Sequence, residues 1–226
     1  MQDLKACQNA VSDPDRAIPA CTAFIRTGRT VNGQAFPVAA LSSITFLRGL
    51  AHFIREEAEP SIADFTAAFT SNQSQATVLM FRGQARLKLK EFSSAMADLD
   101  RAVEIARKTN FKAVGTSAVL NSRAAAYLMQ HDFDRAVSDV NKAIALDPRY
   151  AFAYFTRAEL EQYKGEDEKA DADYASAMKL DPKNAKTFAG YQQFEGAWRD
   201  YLKDIQDSGD YANWSGPPLE LYRNSN

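Results

Sequence analysis

The pattern of small, apolar and polar positions between Asn121 and Pro182 is written twice at one fixed interval. One copy carries Ala124, Tyr127, Ala136, Ala143 and Leu146-Asp147-Pro148; the next carries Ala158, Ala170, Ala177 and Leu180-Asp181-Pro182. Ala124 is to Ala158 as Ala136 is to Ala170, Ala143 to Ala177 and Pro148 to Pro182. A small residue, two further alanines at fixed steps and a closing Leu-Asp-Pro predict a helix–turn–helix hairpin. Small residues mark where two antiparallel helices approach closely, and the Pro ends the second of them.

The same pattern extends towards both ends of the chain. Residues 2–29 predict a degenerate first hairpin: Asp13-Pro14 supplies an N-cap followed by Pro at the first helical position. Asp15-Arg16-Ala17-Ile18 matches Asp134-Arg135-Ala136-Val137, which puts Cys21 at the inward-facing position of Val140. Pro19 falls early in this helix, where its missing N–H is expected to cost little. Gly28, Gly33 and Pro37 predict a loop from Thr27 to Pro37. The second hairpin, 38–73, has Gly49 at the small position, Phe65 and Ala68 on its second helix, and Ser61 where the repeat usually has Ala. Its turn is expected at Glu59-Pro60-Ser61. The third, 76–110, has Gly83, Ala95, Leu99 and Ala102. Gly49 to Gly83 repeats the interval, but Gly83 to Ala124 exceeds it by seven. The extra residues therefore fall between Glu104 and Thr116, as a lengthened second helix, an elongated next helix or a loop. Hairpins at 117–150 and 151–183 follow. Residues 184–206 predict a capping helix with Phe188, Tyr191, Phe194, Trp198, Tyr201, Leu202 and Ile205 on one stripe. The tail, 207–226, carries Gly209, Gly216 and Pro217-Pro218 and cannot be helical throughout.

These units resemble the tetratricopeptide repeat (TPR) family, bacterial type, over roughly 180 of the 226 residues. The family's usual Trp, four residues before the small position, is absent throughout, and of His52, Arg86, Tyr127 and Glu161 at another family position only one is Tyr. The resemblance implies an all-α, right-handed superhelical solenoid of about five helix–turn–helix hairpins with a C-terminal capping helix. It also implies a non-enzymatic interaction scaffold that binds a peptide or protein segment in a concave groove. The family's groove positions fall on Phe46, Leu50, Phe53 and Ile54, then Met80, Gln84, Leu87 and Lys88. They continue with Asn121, Ala125, Leu128 and Met129, then Phe152, Phe155, Glu159, Gln162 and Tyr163. Co-chaperone members clamp a C-terminal carboxylate with a Lys–Asn pair; the pairs here are Phe46/Leu50, Met80/Gln84, Asn121/Ala125 and Phe155/Glu159, so a chaperone-tail receptor is not expected.

Charge and chemistry narrow the reading. Arg48, Arg82, Arg123 and Arg157 each precede the small residue, and Asp64, Asp98, Asp139 and Asp173 each follow their arginine at one constant offset. A ladder for anionic ligands is one reading; the matched recurrence of both signs favours structural ion pairs that fix helix register. A net charge of −2 gives no electrostatic reason to expect nucleic acid or an acidic membrane surface. No apolar run approaches the ~20 residues a transmembrane helix needs. No phosphate loop, Cys-x-x-Cys pair or His-Glu-x-x-His helix occurs, and His52 and His131 lie far apart in the repeat, so no catalytic residue, metal or cofactor is expected. Cys7 and Cys21 are the chain's two cysteines, one on each helix of the first hairpin. A disulfide there would staple the end of the stack and place the protein in an oxidising compartment, periplasmic or otherwise exported; two free core thiols would fit the cytoplasm. Met-Gln-Asp-Leu at the start is not a signal peptide, which suits a mature segment with an added Met if the chain is exported. The tail from Tyr211 through Trp214 to Tyr222 is too apolar for a spacer. It would lie back on the cap, enter a groove of its own or another copy, or dock on a partner. A structural self-assembly module, a homo-oligomer formed through the tail and the open end, is therefore the rival function.

Overall fold

The computed structural model describes residues 2–29, 34–69, 75–109, 113–182 and 184. The expected capping helix beyond Asn184 and the tail at 207–226 lie outside the described residues. Among those described, ten α-helices occur and extended pairing is limited to one isolated bridge between Arg29 and Ala35. The helices pair as hairpins: α1 Gln2–Gln8 with α2 Pro14–Thr27, α3 Val38–Ile54 with α4 Ala58–Ala68, and α5 Gln75–Lys88 with α6 Phe92–Lys108. Two further pairs are α7 Ala113–Met129 with α8 Phe133–Leu146, and α9 Ala151–Tyr163 with α10 Asp167–Leu180. The chain divides into two compact units, Met1–Pro148 and Arg149–Asn226. In the first, each hairpin's second helix packs on the next hairpin's first, and α5 touches both α3 and α7. The second unit contains the α9–α10 hairpin.

Every hairpin after the first pairs a small position with a large one. A Cβ on Gly49 would lie 3.0 Å from the Phe65 ring, and one on Gly83 would lie 2.9 Å from Leu99 Cγ. Ala124 and Ala158 take the same place in the later hairpins, and the large partners at the matching offset, Phe65, Leu99, Val140 and Tyr174, are all fully buried. Ala95, Ala136 and Ala170 complete the seam, again fully buried. Size is traded across the seam in three hairpins: glycine meets Phe or Leu, and the larger alanine, Ala124, stands in register with the smaller Val140.

The ends of the helices have local causes. Asp13 Oδ1 accepts from the Arg16 N–H at 3.3 Å at the start of α2, and Gly28 ends that helix at φ 61°, a conformation a Cβ would strain. Asp132 accepts from the Arg135 N–H at 3.2 Å at the start of α8. Two local expectations need correction, and one left open is resolved. Pro19 is the sixth residue of α2, beyond the first turn, so its missing N–H removes a regular helix bond. Glu59-Pro60-Ser61 is the first stretch of α4 and not the turn, which falls at Arg55–Glu57; the missing Pro60 N–H is one of the orphan donors of a first turn. The seven extra residues go to the two helices: α6, with 17 residues, exceeds α8 by three, and α7, with 17, exceeds α9 by four, while the step from α6 to α7 is no longer than that from α8 to α9.

Cys7 and Cys21 are joined, with a sulfur–sulfur distance of 1.99 Å and Cα atoms 4.9 Å apart. Cys21 occupies the register of Phe65, Leu99 and Val140, so the bond replaces the large side chain that closes the other hairpins. Both cysteines are fully buried, in a cluster with Phe24 and Ile44.

The arginines and aspartates form a repeated junction. Arg48 donates to Asp64 through Nε at 2.8 Å and Nη2 at 2.7 Å, and Arg82 to Asp98 at the same two distances. Arg123 holds Asp139 at 2.6 and 3.1 Å, and Arg157 holds Asp173 at 2.5 and 2.9 Å. Such planar two-point pairing satisfies carboxylates that packing has taken out of water. The hydrogen bond to Asp64 raises the Arg48 pKa above the ordinary guanidinium value. In the first unit the remaining nitrogen, Nη1, reaches the second helix of the preceding hairpin: Arg48 to Thr22 Oγ1 at 3.1 Å, Arg82 to Thr66 Oγ1 at 3.2 Å, and Arg123 to Asp100 Oδ1 at 2.9 Å. One side chain thus ties both helices of its own hairpin to a neighbour.

Two stability outcomes follow. Ser61 is fully buried at the seam's alanine position, and its Oγ has no hydrogen-bond partner among the described residues. Ser61→Ala is expected to raise unfolding free energy by about 1 kcal/mol in chemical denaturation. Arg48→Ala leaves Asp64 buried without its guanidinium partner and is expected to cost about 3 kcal/mol. Arg82→Ala is expected to cost less, because Arg86 Nη1 also donates to Asp98 at 2.7 Å. Equal losses in the two variants would contradict this account.

Candidate functional site

On a helix, residues four apart share a face. Leu50 and Ile54 on α3, Gln84 and Lys88 on α5, and Ala125 and Met129 on α7 form three such pairs in one register of the repeat. The first member of each pair is half-buried and the second exposed; Ile54 is 38% and Met129 48% accessible. Because α5 lies against both α3 and α7, the three pairs belong to adjoining helices. Phe53 and Leu128, both half-buried, border them. Gln84 Nε2 donates to Ser122 Oγ at 2.6 Å and joins α5 to α7. The one cation in these pairs, Lys88, sits 4.6 Å from the centre of the Phe53 ring and 3.7 Å from a Glu56 carboxylate oxygen. Its charge is thereby offset locally, and the surface is apolar in character.

Other groove candidates are placed elsewhere. Met80, Leu87 and Asn121 are 8%, 7% and 8% exposed, so they are part of the packed interior and do not line an open surface. Met80 and Leu87 lie two turns apart on one stripe of α5, and packing of that helix between α3 and α7 takes the stripe out of solvent. Phe46 and Phe53 are half-buried members of a ring cluster: Phe46 is 5.5 Å from Phe65 and 5.8 Å from Phe81, and Phe53 is 5.8 Å from Phe81. Phe81 is not at a groove position, because it falls one place beyond the repeat interval from Phe46. In the second unit, Phe152 and Tyr163 are 42% and 60% exposed on α9. Phe155 packs edge-on to Tyr174 at 5.5 Å, and the Tyr174 hydroxyl donates to Gln162 Oε1 at 2.7 Å.

The histidines sit apart, His52 in the last turn of helix α3 and His131 between α7 and α8. His52 Nδ1 lies 2.6 Å from Glu57 Oε2, and Glu57 also accepts from Arg55 Nε at 2.9 Å. The hydrogen bond with His52 holds the Glu57 carboxyl below its ordinary range. Arg55 in turn donates to Asp15 at 2.6 Å, which ties the α3–α4 turn to α2. His131 is exposed at φ 58°, in the turn between α7 and α8. Among the described residues, no group of three His, Cys, Asp or Glu side chains could hold a metal ion, and no helix is long and apolar enough to cross a membrane.

Comparison with known proteins agrees with this helix pairing. Residues 76–109 and 153–184 match the tetratricopeptide repeat model. Tetratricopeptide repeat protein 28 of Homo sapiens is 33% identical over 84 residues, which is 37% of this chain and 3% of that protein. A DnaJ homolog subfamily C member 7 homolog of Dictyostelium discoideum is 29% identical over 104 residues, 46% of this chain and 19% of that one. The chain therefore spans only a small part of the curated relatives it matches. Among solved structures, the crystal structure of MamA superposes with a TM-score of 0.54 at 18% identity, over 77% of this chain and 92% of that one, a likeness of fold. With the repeated hairpins, the small-residue seam and these matches together, residues 76–109 and 153–184 are tetratricopeptide repeats.

Proposed function

We propose that this protein is a non-enzymatic interaction scaffold whose first unit holds an apolar segment of another protein against the faces of α3, α5 and α7. The observation that carries this reading is the register of Leu50/Ile54, Gln84/Lys88 and Ala125/Met129 on three adjoining helices. The hairpin seams use the small-residue positions, so these side chains are surplus to closing each pair. Burial of exposed Ile and Met side chains supplies a driving force for association, and partly offset charge at Lys88 favours an apolar partner over an acidic one.

The test is a cross-linked capture from the native source, comparing the intact chain with a Leu50→Asp, Met129→Asp variant that retains its helicity. Loss of at least tenfold in a captured partner is the expected result. Equal capture by both proteins would overturn it. Recovery of this chain alone, equally from both, would replace the scaffold with self-assembly.

The Cys7–Cys21 bond supports an oxidising compartment, such as the periplasm, as the place of work. Intact-mass measurement of freshly isolated, alkylated native protein is expected to show both cysteines unmodified by the thiol reagent. Two alkylated thiols would place it in a reducing compartment instead.

A further inference from the structure

We propose that the Cys7–Cys21 bond is a redox-operated catch that holds α1 against α2 and α3 and releases it without disturbing the rest of the first unit. The two helices of this hairpin are attached in different ways. Arg48 reaches Thr22 on α2 at 3.1 Å, and Arg55 reaches Asp15 on α2 at 2.6 Å, so α2 is tied to the second hairpin by side chains independent of the disulfide. Helix α1 spans Gln2–Gln8, and among its described side chains only Cys7 is fully buried; Leu4 is 39% exposed. A helix of that length does not persist on its own in water. Its place depends on Cys7 in the cluster with Cys21, Phe24 and Ile44, on Ala10 beyond its end against Ala17 and Ala51, and on the covalent bond.

The chemistry is exchange with a dithiol reductant. One reductant thiolate attacks a protein sulfur, the protein S–S bond breaks and a mixed disulfide forms. The second reductant thiol displaces it, so two electrons and two protons pass to Cys7 and Cys21 while the reductant becomes a disulfide. Both protein sulfurs are fully buried, so exchange waits on a transient opening of α1. Before reduction the bond limits that opening, because it closes a loop with a separation of 14 residues. After reduction the constraint is gone, and the open form gains roughly 100-fold in population by chain entropy. Opening uncovers Phe24, Ile44, Ala17 and Ala51, an apolar face on α2 and α3.

Amide hydrogen exchange read by mass spectrometry on the full chain tests this, oxidised against fully reduced with a phosphine, completeness being shown by the gain of two hydrogens. Exchange across residues 4–11 is expected to accelerate roughly 100-fold on reduction, with residues 75–146 unchanged. A Cys7→Ser, Cys21→Ser variant is expected to match the reduced chain in the absence of any reductant. Unchanged protection of residues 4–11 in the reduced wild type would overturn the catch. Loss of protection spread across residues 75–146 would overturn it equally, because the bond would then hold the whole unit.

Discussion

The stack depends on how closely two helices approach where a small residue meets a large one. At Gly83 even one added carbon would sit 2.9 Å from Leu99 Cγ, so the first helix of that hairpin is in contact through its backbone. That approach fixes where Asp98 lies relative to Arg82, because each is the chain neighbour of a residue in the seam. The two-point ion pair is therefore a consequence of the seam, satisfying a carboxylate the seam has buried. Its third nitrogen then carries the geometry outward to Thr66 in the preceding hairpin. Steric fit sets the hairpin and the guanidinium sets the step between hairpins. In a repeat protein, where stability is a sum of units and nearest-neighbour interfaces, those are the two quantities that matter.

The first hairpin shows what happens when the seam is weak. Its register has Cys21 where the others have Phe65, Leu99 and Val140, and its first helix is about half as long as the others. A cysteine side chain is too small to close the pair by volume, and the covalent bond to Cys7 performs the task instead. The cost in core volume and the presence of a disulfide are two aspects of one substitution. This hairpin meets its neighbour chiefly through α2, so a local fastening offsets the small interface that α1 makes.

Much of this was legible in the sequence, because the features that define the fold recur at a fixed period. The spacing of Gly49, Gly83, Ala124 and Ala158 marks the hairpins, and the offset of 16 from each Arg to its Asp anticipates a geometry in which every pair meets. Features set by a single helix end were harder to read. Pro60 looks like a turn residue, yet the first turn of a helix tolerates it equally well, and only backbone direction separates the two. The insertion after Glu104 is divided between two helices, since extending each helix keeps its backbone hydrogen bonds made.

The candidate site was legible only in part, for a reason that also bears on the proposed recognition. Family positions name a face of a helix, but how much of that face stays open depends on the size of neighbouring side chains. Phe81, one place off the repeat, draws Phe46 and Phe53 into a ring cluster, and Met80 and Leu87 are enclosed along the same helix. What remains open is the stripe of Leu50, Ile54, Gln84, Ala125 and Met129, with Lys88 laid across Phe53. A charged clamp needs cations whose charge is available to the ligand, and here the stripe's one cation is offset by Glu56 at 3.7 Å. If the stripe holds a partner as proposed, recognition would draw on shape and apolar burial, tolerant of partner sequence and strict about partner charge. A partner that brought a carboxylate to this stripe would lose its hydration without gaining a free counter-charge, so on the proposed reading selection would work by exclusion as much as by attraction.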